Sequence, residues 1–227
     1  MKSRRLSSPD GIDLWLVEGT GTESEHSALY ELLSVDERAR VSGFKVEETR
    51  SSFIVSRGFL RTLLGDALVG APETIHFDEG EHGKPLLGGA HADSGIEFNV
   101  SHSGDLFLYA ISRGRTVGVD IERQKEGLAV ESISQRYFAS GEAHSLLAQI
   151  PEKRLSNFYR CWTRKEAYLK AKGTGLTTKL QAFEVTFLPD IPPALLHTEI
   201  DGEDPADWQV FDVPVPDGYV AALVAHR

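Results

Sequence analysis

The chain is short of sulfur, of long apolar runs and of positive charge, and each shortage excludes something. It has 227 residues and one cysteine, Cys161. A lone thiol closes no internal disulfide, and its place beside Trp162 in a helical stretch reads as a packed side chain in a reducing compartment, the cytoplasm. Behind the basic start Met1–Arg5, the apolar run Ile12–Val17 is brief, is broken by Asp13 and lacks a small-residue cleavage pattern. Neither a signal peptide nor a membrane span is expected. Lys and Arg number 24 against 34 Asp and Glu, a formal net charge of −10. General nucleic-acid binding relies on basic surface to displace counterions, so it is not expected, and any polyanion site must be local. With 41% hydrophobic and 26% charged residues, the composition is that of a globular protein.

What is present draws attention to Phe158–Gly173. Leu155, Tyr159, Trp162 and Leu169 follow the i, i+4, i+7 spacing of a helix packed on a core, and Glu166 falls in the next slot of that stripe. An unpaired buried carboxylate costs at least several kcal/mol (order of magnitude), so it is neutralised, paired or metal-bound. In Thr116–Arg123 the β-branched residues alternate as a strand with Val117, Val119 and Ile121 on one face and Asp120 and Glu122 on the other. Such alternation also forms a solvated face. Paired with Glu166, however, the two carboxylates make an all-oxygen cup suited to Mg²⁺ or Mn²⁺, whose open positions are commonly filled by water and phosphate oxygens. Lys170 lies one turn beyond Glu166, the spacing of a surface ion pair as well as of a charge near a phosphate. Lys165 and Lys172 point away by helical angle. Gly173 and Gly175 end the helix.

Other basic and polar groups lie upstream. Arg50, Arg57 and Arg61 share a helical face, with Arg38 and Arg40 on the helix before. Lys84 sits in the turn Gly83-Lys84-Pro85. Ser101, His102 and Ser103 are expected in a loop between two strands. For each of these the plainer reading is a solvated surface group.

Strand–helices–strands occurs twice. Strands are expected near 12–17, 74–79, 96–101 and 106–112 with helices near 24–33, 35–42 and 46–64. They recur near 116–122, 182–188, 207–213 and 218–226 with helices near 129–138, 140–149 and 152–172. This divides the chain into 1–114 and 115–227 and points to an α+β fold.

Gly118-Val-Asp-Ile-Glu122, followed by Trp162-Thr-Arg-Lys-Glu-Ala-Tyr-Leu-Lys170 and Gly173-Thr-Gly-Leu176, resembles the paired signature of the Sfp-type 4′-phosphopantetheinyl transferases, in the subgroup whose second motif reads Trp and Lys-Glu-Ala. His82-Gly-Lys-Pro85 and Phe98–Gly104 resemble two further family motifs, in order. The resemblance implies a pseudo-two-fold pair of similar α/β subdomains, monomeric, with coenzyme A in the cleft between them. The N-terminal subdomain would contact the nucleotide and phosphates, through Arg40, Arg57, Lys84, Ser101 and His102. The C-terminal one would hold the metal on Asp120, Glu122 and Glu166. A family position that is often Lys reads Glu37 here.

The reaction so implied moves 4′-phosphopantetheine from coenzyme A to a serine of an acyl or peptidyl carrier protein and releases 3′,5′-ADP. Glu166, directly or through a metal-bound water, is the base, and Lys170 steadies the departing phosphate and contacts the cofactor. The carrier would meet the segment Gln124–Phe138, although its apolar members Leu128, Val130, Ile133 and Phe138 suit a core equally. A Mg²⁺-dependent phosphohydrolase and a non-catalytic coenzyme A or carrier-binding protein are the alternatives. Neither needs all four segments.

Overall fold

The computed structural model describes residues 1–80, 83–175, 178–200 and 202–227. His82 and Leu176, quoted above in two motifs, lie outside the described residues. The chain divides into two units, Met1–Gly114 and Arg115–Arg227.

The first unit runs β1 (Ser3–Leu6), β2 (Ile12–Glu18), α1 (Glu23–Glu31), α2 (Val35–Gly43), α3 (Glu47–Leu68), β3 (Phe77–Glu79), β4 (Pro85–Leu87), β5 (Ile96–Ser103) and β6 (Leu106–Arg113). The second runs β7 (Val117–Arg123), α4 (Val130–Tyr137), α5 (Ser140–Leu147), α6 (Pro151–Lys172), β8 (Phe183–Val185), β9 (Leu195–Thr198), β10 (Trp208–Asp212) and β11 (Tyr219–His226). Each unit has an antiparallel sheet, in the order β1-β2-β6-β5 in the first and β10-β11-β7 in the second, and each adds a two-stranded hairpin, β3-β4 and β8-β9. The last strand of each unit, β6 or β11, is flanked by the strands before the helices (β2, β7) and just before itself (β5, β10). Each third helix has 22 residues. The fold is α+β with this connectivity repeated. The strands expected near 106–112 and 218–226 are those two central strands.

Three elements were not foreseen. β1 is an exposed, basic strand whose residues offer no apolar alternation. β4 and β9 have 3 and 4 residues, shorter than the window over which period 2 is detectable. Ser101, His102 and Ser103, expected in a loop, complete β5, and only Gly104 and Asp105 separate it from β6. A two-residue connection keeps both strands paired to the turn.

Local chemistry sets the helix ends. Thr22 with Glu25, and Ser34 with Glu37, form capping boxes at α1 and α2. Pro151 opens α6, and Gly173, at φ 70°, closes it.

A second device is repeated in both units. Arg61, the fifteenth residue of α3, is 1% exposed, and it is paired with Glu37, third residue of α2, at 2.7 Å. It also donates to the carbonyls of Pro72 (2.8 Å) and Ile75 (3.0 Å) just beyond the helix. Lys165, the fifteenth residue of α6, is 0% exposed, and it is paired with Glu142, third residue of α5, at 2.7 Å. It donates to the carbonyls of Leu180 (2.8 Å) and Phe183 beyond that helix. Each glutamate further accepts a backbone N–H at its own helix start, from Ser34 or Ala139. Burying a cation is tolerable where its donors meet acceptors, as at Nε and Nη1 of Arg61 and Nζ of Lys165, and removing one partner of such a pair costs about 3–5 kcal/mol. The solvated basic face expected for Arg50, Arg57 and Arg61 is therefore corrected at Arg61, which is a core group.

Among the described residues, no helix is long and apolar enough to cross a membrane.

One position is strained. Val69 follows α3 in the left-handed region (φ 55°, ψ 46°) and is 93% exposed, so nothing packs its side chain there. A β-branched residue in that region costs about 1–2 kcal/mol. Val69→Gly should stabilise the protein by about 1 kcal/mol and raise the melting temperature by roughly 2–4 °C. Calorimetry reads this directly, and an unchanged or lower midpoint would show that the turn carries no strain.

Candidate functional site

The carboxylate site is built where α6 lies on β7. Gly118 permits it: a Cβ there would stand 2.1 Å from the carbonyl oxygen of Ala167 and 2.3 Å from the amide nitrogen of Ala171. Both are helix backbone and cannot yield, so only glycine lets the helix rest directly on the strand. By strand alternation Asp120 and Glu122 share the face of Gly118, and that face is roofed by α6 rather than solvated. Val117–Ile121 is buried throughout, with Asp120 only 3% exposed.

Lys170 then answers Asp120. Its ammonium donates to Oδ1 at 2.6 Å. Glu166 is half-buried on the same helix, and burial raises its pKa above the ordinary carboxylate range. The Asp120 and Glu122 carboxylates add to the rise and the Lys170 ammonium opposes it. Both β7 carboxylates thus lie close enough to Glu166 to disfavour its charge. Among the described residues, no three His, Cys, Asp or Glu side chains are already arranged to hold a metal ion. The cup is not preformed; Lys170 provides its positive charge.

Cys161, on the same helix, is fully buried, and burial pushes its thiol well above the usual range. It is a packed, inert thiol, as the sequence implied. In the segment Gln124–Phe138, Phe138 is buried in the core, and Leu128, Val130 and Ile133 are partly buried against it. The core reading of those apolar residues holds for Phe138. Beside them lies a groove of about 740 Å³ lined by Leu128, Val130, Glu131 and Leu155 among others.

The basic and polar residues upstream line two cavities of the first unit. One, of about 710 Å³, is lined by Arg40, Ser52, Ser56, His102 and Ser103 among others. The other, of about 370 Å³, is lined by Arg40, Arg57, Gly83 and Pro85 with Phe53 and Phe77. Arg40 and Phe53 border both, and the Arg40 guanidinium lies 5.2 Å from the Phe53 ring centroid. His102 is exposed and stacks on Phe107, centroids 5.2 Å apart. Ser101 alternates to the opposite face and is buried, so it does not line the cavity that His102 lines. Lys84 is half-buried, and burial lowers its pKa while Glu97 opposes that. Gly83, at φ 78°, forms the turn of the β3–β4 hairpin and delivers Lys84 to the start of β4.

Glu37 changes the charge of this region. Besides holding Arg61, it pairs with Arg57 Nε at 3.2 Å, and the Arg57 guanidinium stacks over Phe77 at 4.8 Å. Burial lowers the Arg57 pKa and Glu37 opposes it. Sequence reasoning noted Glu37 as a departure. It missed that the carboxylate is the shared counter-ion of two arginines, although the signal was there in the capping-box pattern Ser34-Val-Asp-Glu37.

Residues 116–224 match the family model described as "4′-phosphopantetheinyl transferase superfamily", and residues 18–113 match "4′-phosphopantetheinyl transferase, N-terminal". The 4′-phosphopantetheinyl transferase HetI of Nostoc sp. (strain PCC 7120) is 39% identical over 215 residues, 94% of this chain and 87% of the relative. The chain belongs to the 4′-phosphopantetheinyl transferase family. The 4′-phosphopantetheinyl transferase Sfp of Bacillus subtilis (strain 168) is 34% identical over 210 residues, 86% of this chain and 88% of that protein. A solved structure titled as an ACPS-CoA complex from Chronobacterium ammoniagenes aligns with 50% of this chain and 96% of its own, at 21% identity and a TM-score of 0.36.

The carboxylate cluster depends on the contact at Gly118. Gly118→Ala should lower stability by about 3 kcal/mol, the upper range for overpacking, because the obstruction is backbone. Denaturant unfolding measures it. A variant as stable as wild type would mean that α6 does not rest on β7 as described.

Proposed function

We propose that this transferase moves 4′-phosphopantetheine from coenzyme A to a serine of an acyl or peptidyl carrier protein, with Glu166, Lys170 and the carboxylates of β7 at the reacting phosphate. The observation that carries this assignment of roles is the group Asp120, Glu122, Glu166 and Lys170 at the α6–β7 contact. The serine oxygen attacks the β-phosphorus and forms the new P–O bond. The bond to the oxygen bridging the two phosphoryl groups breaks, and 3′,5′-ADP leaves with that electron pair. The serine proton goes to the Glu166 carboxylate, directly or through a water. A carboxyl held above the usual range is the better acceptor near neutral pH. Lys170 sits with its ammonium at Asp120, within reach of charge that builds on the leaving phosphate. Asp120, Glu122 and Glu166 would hold Mg²⁺ or Mn²⁺, which when bound supplies neutralisation of the pyrophosphate. A carboxylate directly bound to metal accepts a proton poorly, so the two roles of Glu166 compete.

For the coenzyme, Arg40 and His102 offer a cation and an imidazole donor to phosphate across the larger cavity, Arg57 lines the smaller one, and Lys84 lies between Gly83 and Pro85, which line it too. Ser101 faces the core. It would act by holding the strand that carries His102. The lone buried thiol accords with action in the cytoplasm, as a monomer.

Incubation of a carrier protein with coenzyme A, Mg²⁺ and this protein should give a mass increase of one phosphopantetheine on the carrier; release of coenzyme A fragments without a carrier adduct would point instead to a hydrolase. Glu166→Gln should cut the rate about 100-fold or more. Its effect on stability has a defined sign. A folded pKa raised above the unfolded value gives stabilisation that is complete at acid pH and lost as pH rises through the folded pKa. The variant, neutral at all pH, should equal wild type below about pH 4 and exceed it by about 1 kcal/mol at neutral pH without metal. A variant less stable at neutral pH would make Glu166 the partner of a cation and refute its role here.

Arg40→Ala and His102→Ala should raise KM for coenzyme A with kcat little changed, since groups that touch the non-reacting end bind ground and transition states alike. Steady-state kinetics separate the parameters. A fall in kcat at constant KM would remove both residues from coenzyme binding.

A further inference from the structure

The contact that places Glu166 has an unusual weakness. Helices normally lock against their neighbours by side chains set into grooves. At Gly118 the helix meets bare strand backbone, and the residues that touch it on α6 are Ala167 and Ala171. Such a smooth contact allows close approach but offers no side-chain ridge against rolling, so anchors elsewhere on α6, among them Arg164 on Asp212 and Lys165, hold its orientation. A roll of about 20° would carry a carboxylate standing about 6 Å from the helix axis through roughly 2 Å. A misplacement of about 1 Å in a reacting group can cost about 100-fold in rate.

Lys165 is built to oppose that roll. It precedes Glu166 and therefore projects about 100° away around the helix. Its ammonium is completely buried among three acceptors on three separate pieces of chain: Glu142 at the start of α5, Leu180 in the turn before β8, and Phe183 in β8 itself. Glu142 is held in turn. Its Oε2 accepts the N–H of Ala139 at 3.0 Å and its Oε1 accepts that of Val185 at 2.8 Å. The Lys165 ring contacts are also fixed, with Phe183 centred 4.3 Å from the ammonium.

We infer that Lys165, held by Glu142, is a positioning residue for the transfer reaction: it fixes the roll of α6 and thereby the placement of Glu166 against Asp120 and Glu122. The inference rests on the function proposed above. The other unit supplies independent support, because Arg61 and Glu37 form the same cage at the same helix position, and the glutamate of that cage also holds Arg57, which lines a cavity assigned to the coenzyme. In both units the cage steadies the helix that carries a site residue.

The test uses the full chain. K165M/E142Q removes the cation and the anion together, so no unpaired charge stays buried. E142Q alone is the milder arm: it keeps the ammonium and both carbonyl partners but weakens the pair. Two quantities are read: binding of Mn²⁺ alone, by electron paramagnetic resonance, and transfer kinetics with Mg²⁺, coenzyme A and a carrier protein. A variant that melts cooperatively should bind Mn²⁺ about 10–100-fold more weakly and lose kcat by a similar factor, as for residues that orient a metal ligand. KM for coenzyme A should stay within about threefold, because the cavities of the first unit are untouched. E142Q should move both quantities in the same direction by less, and K165R should recover part of the loss. If either folded variant keeps Mn²⁺ affinity and kcat within twofold of wild type, Lys165 is only a stabilising core group and the inference fails. A wild-type chain that loads the carrier but binds no Mn²⁺ would overturn it as well, while a wild-type chain that loads no carrier at all would overturn the proposed function itself.

Discussion

The second unit is organised around a missing side chain. Because Gly118 offers no Cβ, the backbone of α6 at Ala167 and Ala171 lies against the strand. Close approach then dictates what the neighbouring positions can be. Asp120, two residues along the same face, is sealed from water and needs a counter-charge, and Lys170, one turn below Ala167 on the same helix face, supplies one. Glu166, one residue before Ala167, is brought into the field of both β7 carboxylates. A larger residue at 118 would lift the helix, rehydrate Asp120 and weaken both the burial and the carboxylate repulsion that raise the Glu166 pKa.

Polar groups are normally kept out of a helix that covers a sheet, yet Thr163, Arg164 and Lys165 are all buried in α6. Each has its own account. The Thr163 hydroxyl donates to the Arg160 carbonyl, 3.3 Å away within the helix. Arg164 forks onto Asp212 of β10 at 2.7 and 2.8 Å and reaches the Thr186 carbonyl. Lys165 has the cage described above. Desolvation is costly for both cations, and only complete satisfaction of their donors makes it tolerable. Such pairs add little net stability compared with apolar residues of the same size. Their directional bonds instead restrict the helix to one orientation, which apolar packing alone specifies less sharply.

The local parts of this design were legible in the sequence. Asp120 and Glu122 showed as carboxylates on a β-branched strand, Glu166 as an interruption of an apolar stripe, and Gly173 as a helix stop, because each signal lies within one turn or one strand. The strand–helices–strands repeat was legible for the same reason. What escaped depends on residues far apart. Arg61 looked like surface because its face is shared with Arg50 and Arg57, and only Glu37, with the segment Pro72–Ile75 that follows α3, makes that position a core. Lys165 was correctly read as pointing away from Glu166, but its destination lies 23 residues back, at Glu142. Ser101 and His102 looked equivalent in sequence. The strand they occupy sends them to opposite faces.

The repeated cage bears on how one architecture holds two kinds of chemistry. Both units keep the same topology, the same long third helix and the same buried cation clamped to the third residue of the preceding helix. What differs is the face the helix presents next to the clamp. In α3 the position one turn before the clamp is Arg57, and it shares the clamp's own glutamate, so a positive group is held at a cavity wall with its charge partly countered. In α6 the position just after the clamp is Glu166, which shares nothing with the clamp and is left to the β7 carboxylates. The scaffold thus keeps the clamp's ion pair apart from the neighbouring charged residue in one half and joins the two in the other. The merged half is the one where substitution is harder, because replacing Glu37 disturbs the core and the cavity together, whereas in α6 the clamp on Glu142 is a separate pair from the one that Lys170 makes with Asp120.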